Sequence, residues 1–493
     1  MKSTIFISNS PHPLSGLPIS PEIYKMIWNL PKVLLHEHFS GSSDLFEMAR
    51  IAQLYIDQGL SESLDWIDPE SGDFKEVSTA FLKKDRSALS YFLHTKHLAK
   101  LFRFANPPER HEIFVEKRHL NDVGALTIPE DLLNKTIENL RSQGLANYCA
   151  TSSRINRLVK NELFVYGLAS AFARQLAMEN VVYAECRVSP LSYQCDSITE
   201  LIDRISGGLK LGRAEALNNL KNIETGILLV VERHAENSVE NAIKLAHTAI
   251  ELRLQGYPVV GIDIAGDECK YPVTLFKQAF DIIKTYNEDP KTPDALRLGI
   301  TVHAGEVQQS GPYKGHESIQ HAIELAYSER TPVRIGHGIQ IINSSSILNE
   351  AFAAYREHPQ EWESQYPREE ILKQSPLLKM SIDRGIVYEM CPKSNVHTFA
   401  VPYYELHPAV FLSRLGLKVS LSSDNRLISK SNAPNEFVKL FKYAHAGYED
   451  MKRMTLAGLE GAFIMDKYHK SQLILDTKKM FLDLEKSNGR FSL

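Results

Sequence analysis

Eight short runs rich in Val, Ile and aromatic residues recur along this chain, most of them separated by helix-like segments. The runs are 33–38 (VLLHEH), 181–188 (VVYAECRV), 225–233 (TGILLVVER) and 259–268 (VVGIDIAGDE). They continue with 298–306 (LGITVHAGE), 334–339 (RIGHGI), 386–395 (IVYEMCPKSN) and 418–426 (KVSLSSDNR). Val239–Leu254, Leu275–Tyr286 and Ile319–Ser328 read as helices between them. Strand then helix, repeated to eight, predicts an α/β fold of the (β/α)8 TIM-barrel type rather than an open doubly wound sheet.

The spacing is uneven. Helical insertions are expected at about 42–180 and 341–384, and closing helices at about 432–493. The amphipathic stretches Leu89–Phe104 and Pro129–Ser142, with the charged stretch Glu109–Lys117 between them, predict a helical lid over one end of the barrel. No repeat or linker calls for a second domain, so 1–493 reads as one domain with a barrel core at about 30–430.

At 493 residues and 43% hydrophobic, the chain supports a full-sized core. A net charge of −4 argues against a nucleic-acid or anionic-membrane partner. The five cysteines (Cys149, Cys186, Cys195, Cys269 and Cys391) are scattered and form no CxxC pair. That supports neither a disulfide framework nor a thiolate zinc site and fits a reducing cytoplasm. No stretch approaches the ~20 apolar residues of a membrane span, and the N-terminal apolar run is too short for a signal peptide. The expectation is a soluble cytoplasmic protein; nothing in the sequence sets an oligomeric state.

Chemistry-bearing residues gather at the ends of the runs. His36 and His38 are two apart on a strand, so both face one side, as metal ligands must. Glu37 faces the other way. Alone, the pair fits metal ligands or core histidines. His303 and Glu306 end a later run, His337 lies between two glycines, and Asp424 ends the last run. Each has an ordinary alternative: a buried histidine, an acid at a helix N-terminus, an N-cap. Together they make a three-His, one-Asp set with a spare His and Glu. Such a set suits zinc with a place left for water.

These segments resemble the adenosine deaminase family of the amidohydrolase superfamily. The resemblance runs in order through Leu30-Pro-Lys-Val-Leu-Leu-His36-Glu-His38, Val181–Pro190, Val260–Glu268, Thr301-Val-His303-Ala-Gly-Glu306, Arg334–Gly338, Cys391-Pro392 and Val419–Asp424. It implies one Zn2+ per chain held by His36, His38, His303 and Asp424. It implies that Glu306 protonates purine N1, and that His337 orients the attacking water, takes up its proton and stabilises the developing oxyanion. Gly266 would lie against the purine. The implied activity is hydrolytic deamination of adenosine or a related 6-aminopurine nucleoside. Zinc nucleobase deaminases of the HxE and PCxxC type need a CxxC pair, which this chain lacks.

Two positions depart from the family pattern. Ser40 stands where an Asp usually reaches the sugar, and Asn425 stands where an Asp usually meets purine N7. Both changes touch recognition and spare the reaction centre. They keep a second substrate class open, a different aminopurine or a modified nucleoside or nucleotide. A catalytically silent purine-binding protein is the alternative of another class. Arg426 reads either as a structural residue or as an anion contact. His94 and His97 suit a lid or solvent face, and His397 and His407 a structural or rim role. Cys391 reads as packing.

Overall fold

The computed structural model describes residues 19–42, 45–59, 63–67, 74–93, 155, 162–193, 195–234, 237–307 and 314–488. The expected lid segments beyond Leu93, with His94 and His97, lie outside the described residues, as does Cys149.

Eight parallel strands form the barrel: β1 (Lys32–His38), β4 (Val181–Val188), β5 (Glu224–Arg233), β6 (Val259–Gly266), β7 (Gly299–Ala304), β8 (Val333–His337), β9 (Val387–Met390) and β10 (Lys418–Leu421). They pair in chain order, and a parallel bridge between Glu37 and Asp424 brings the last strand back to the first. All eight expected strands are present. Several are shorter than their apolar runs suggest. The run 386–395 ends as a strand at Met390, because Pro392 starts the helix Pro392–His397. The run 418–426 ends at Leu421, and Arg426–Ser429 is helical.

The described part of the insertion after β1 combines helices with a short ribbon. It is not helical throughout: β2 (Ser63–Ile67) and β3 (Phe74–Ser78) pair as a separate antiparallel ribbon. The 341–384 segment carries the helices Ser346–Glu357, Trp362–Gln365, Arg368–Gln374 and Pro376–Asp383. Closing helices Ala433–Tyr443, Tyr448–Gly461 and Lys467–Asn488 follow β10.

Nearly every strand residue is buried, because helices cover the outside and side chains fill the inside. Phe463, after the helix Tyr448–Gly461, plugs the N-terminal end of the barrel against Leu228 and Val260. Gly299 leaves room for it, since a Cβ there would lie 2.4 Å from the Phe463 ring. Above this plug the interior is ionic. Arg187 pairs with Asp263 and Glu389, and Arg334 pairs with Glu389 and Glu185. Such charges tolerate burial only when paired and hydrogen-bonded. Among the described residues no helix is long and apolar enough to cross a membrane.

Candidate active site

The C-terminal strand ends gather the histidines. β1 carries a bulge: from Leu34 to Glu37 it advances three positions while β4 advances two, from Ala184 to Cys186. The backbone N–H groups of Leu35 and His36 both donate to Ser422 Oγ at 3.0 Å. A bulge of this kind re-aims the residues after it. His36 and His38 end with ring centroids 5.3 Å apart, and the His303 ring lies 4.5 Å from His36 and 5.4 Å from His38. Glu37 turns away, and its Oε1 accepts from the Ser423 N–H at 2.6 Å.

The expected ligands gather in two overlapping groups, His36 with His38 and Asp424, and His36 with His303 and His337. His38 Nε2 is 3.3 Å from His303 Nε2 and 3.4 Å from Asp424 Oδ1. His36 Nε2 is 3.7 Å from Asp424 Oδ1 and has no hydrogen-bond partner although fully buried. Each of two rings is gripped from behind. His36 Nδ1 meets Glu389 at 3.1 Å, and His303 Nδ1 meets Asp263 at 3.1 Å. A carboxylate on Nδ1 holds the proton there and leaves Nε2 as a bare donor toward the centre, the usual support of a metal-binding histidine. Burial, then the nearby Arg187 charge, holds His36 well below the usual histidine range. Burial and the neighbouring His303 do the same for His38. Burial works against a charged His303 too, but the Asp263 charge and hydrogen bond outweigh it and raise that ring. Orphaned Nε2, bare nitrogens and one carboxylate oxygen fit a divalent ion of the zinc type.

Glu306 and His337 border this cluster, with His337 Nε2 3.6 Å from Glu306 Oε2. Burial, reinforced by the Asp424 charge, pushes the Glu306 carboxyl up to about 8. His337 falls to about 3, mainly through burial and then through His303. His337 and Asp424 have left-handed backbones, φ +62° and +61°. Such strain in non-glycine residues persists where the surroundings hold it, commonly at active sites.

The supporting residues were harder to read. Glu268 accepts from the N–H groups of Gly305, Glu306 and Val307 at 2.8–2.9 Å, and from Ser318 Oγ at 3.2 Å. It therefore fixes the turn that carries Glu306. Asp263 and Glu389 act behind the histidines. Their only sequence signal is a carboxylate inside an apolar strand run, as in Gly261-Ile-Asp-Ile and Val387-Tyr-Glu-Met.

The recognition residues are spread around the rim. Gly266 is exposed at the end of β6, with φ +104°. Ser40 is half-buried in the turn Ser40–Ser42, which packs on the helix Arg426–Ser429. Asn425 is buried and donates to Asp424 Oδ1 at 2.8 Å. Arg426 takes the structural role: it is buried and ion-paired with Glu179. Cys391 is buried packing, its thiol pushed well up by burial.

The adenosine deaminase family model matches residues 119–479. Adenosine deaminase 1 of Streptomyces coelicolor is 29% identical over 349 residues, covering 70% of this chain and 77% of that protein. The structure is similar to apo N6-methyl-AMP deaminase from Arabidopsis thaliana, at 17% identity and TM-score 0.58, covering 92% and 98% of the two chains. It is also similar to an amidohydrolase from Burkholderia ambifaria with bound Zn, at 16% identity and TM-score 0.58, covering 97% and 99%.

Proposed function

Because the chain belongs to the adenosine deaminase family, we propose that it removes the 6-amino group of adenosine or a close 6-aminopurine by hydrolysis. His36, His38, His303 and Asp424 would hold one zinc ion per chain. Such an ion supplies the Lewis acidity that makes water nucleophilic near neutral pH. Glu306 carries the proton chemistry. Its raised pKa of about 8 keeps the carboxyl protonated at pH 7, so it can donate to ring nitrogen N1. Oxygen then bonds to C6, and the C6–amine bond breaks with release of ammonia. Both water protons are accounted for: one replaces the proton given to N1, and the other leaves on the amine. His337 stands beside Glu306 to orient the oxygen nucleophile, and Gly266 offers exposed backbone to the purine.

The gathering of His38, His303 and Asp424 about the orphaned His36 Nε2, with the buried Glu306 beside His337, supports this reading. A second substrate class rests on Ser40 and Asn425. Serine is short and neutral at the sugar position, and the Asn425 amide already donates to Asp424. A modified nucleoside or a nucleotide remains an alternative substrate on that ground.

The test is zinc-loaded protein with adenosine, deoxyadenosine, adenine, AMP and their N6-methyl forms, followed by ultraviolet absorbance and ammonia release. Metal analysis accompanies it. Turnover of one member with one zinc per chain is the expected outcome. No ammonia from any member would remove the purine assignment.

A further inference from the structure

Behind His337 lies a hydrogen-bonded chain whose polarity can be read from its fixed end. Asn395 Oδ1 accepts from the Cys391 backbone N–H at 3.2 Å. A backbone N–H can only donate, so the Asn395 atom facing it is the oxygen. That same oxygen meets His407 Nε2 at 3.1 Å, so His407 carries its proton on Nε2. His407 Nδ1 then accepts from the Ala409 N–H at 3.3 Å, consistent with the same tautomer. The remaining Asn395 group, its NH2, faces His337 Nδ1 at 3.0 Å. Flipping the Asn395 amide would set its NH2 against the Cys391 N–H. It would also leave His407 Nε2 without an acceptor unless that ring presented Nδ1–H to the Ala409 N–H. Unpaired donors in a buried site are costly. Asn395 is fully buried, and His337 and His407 nearly so.

We propose that Asn395 is a positioning residue that, with His407 and the Cys391 amide, holds His337 in the tautomer protonated on Nε2. The neutral ring then presents a hydrogen, not a lone pair, to the reaction cavity. His337 steadies the oxygen nucleophile by donating to it. The proton-accepting role that family resemblance implies for His337 needs a bare Nε2, and this network supplies a protonated one. The inference rests on the deaminase reading for its chemical meaning, but the tautomer itself does not.

Neutron diffraction from perdeuterated crystals of the zinc-loaded protein at neutral pH reads the tautomer directly. Deuterium on His337 Nε2 alone is expected. Deuterium on Nδ1, alone or with Nε2, overturns the proposal. Asn395→Asp provides the functional arm, because its carboxylate still accepts from Cys391 and His407 but no longer donates to His337. We expect kcat to fall at least about tenfold, KM to stay within about threefold, and one zinc per chain to remain. An unchanged kcat, or loss of zinc in place of a kcat effect, counts against it. If the wild-type protein turns over no 6-aminopurine, the function reading fails while the neutron map still decides the tautomer.

Discussion

Glu306→Gln should sharply slow deamination and stabilise the metal-free protein. The two effects have one cause. Burial and the Asp424 charge raise the Glu306 carboxyl from 4.5 to about 8, so the folded chain keeps a proton that the unfolded chain releases. A folded pKa above the unfolded value means that stability falls as pH rises from about 4.5 to about 8. At pH 7 the mismatch spans about two and a half pH units, each worth about 1.4 kcal/mol, or roughly 3–4 kcal/mol in all. Glutamine has nearly the same shape and no charge, so it escapes this penalty. Its amide NH2 forfeits part of the gain where it lacks an acceptor, leaving a net of about 1–3 kcal/mol. Loss of the proton donor should lower kcat by about 10²–10⁴. The assay is urea unfolding of zinc-free wild type and variant at pH 4.5, 7 and 8.5, beside steady-state kinetics of the zinc-loaded forms. The stability gap should open with rising pH and close at the acid end. A variant less stable than wild type at pH 7, or one retaining full activity, would refute the reasoning.

Three further outcomes follow from the supporting residues. Asp263→Asn weakens the grip on His303 Nδ1 and should lower zinc affinity about 10–100-fold in a chelator competition. Glu268→Gln turns an NH2 toward backbone N–H groups; we expect about 1–3 kcal/mol lower stability and a reduced kcat, with zinc content retained on metal analysis. Gly41→Ala places a Cβ 1.8 Å from Asn425 Oδ1, so Asn425 must leave its place beside Asp424. Thermal melts should show a loss of about 1–3 kcal/mol, and kcat/KM should fall.

The barrel and its reaction centre were legible because their signals are local. Eight apolar runs mark eight strands, and His36, His38, His303, Glu306, His337 and Asp424 each end a run or follow it closely. Side-chain alternation put His36 and His38 on one face, although the bulge that aims them is held by Ser422, just after the last strand and nearly 400 residues away. Strand ends were less legible, since Pro392 and the turn at Ser422–Asn425 stop pairing inside apolar runs.

By itself, then, the sequence predicted the order of the eight barrel strands from residue type and spacing, and its resemblance to the adenosine deaminase family implied the candidate metal ligands and the reaction class. Tertiary structure alone decided what stands behind those residues. It set Glu389 against His36, Asp263 against His303, Glu268 under the Glu306 turn, and Asn395 against His337. It also settled Arg426, whose charge is taken by Glu179. The physical reason is closure of the barrel. Closure brings carboxylates from distant strands into one dry interior, where burial and pairing govern both proton positions and pKa.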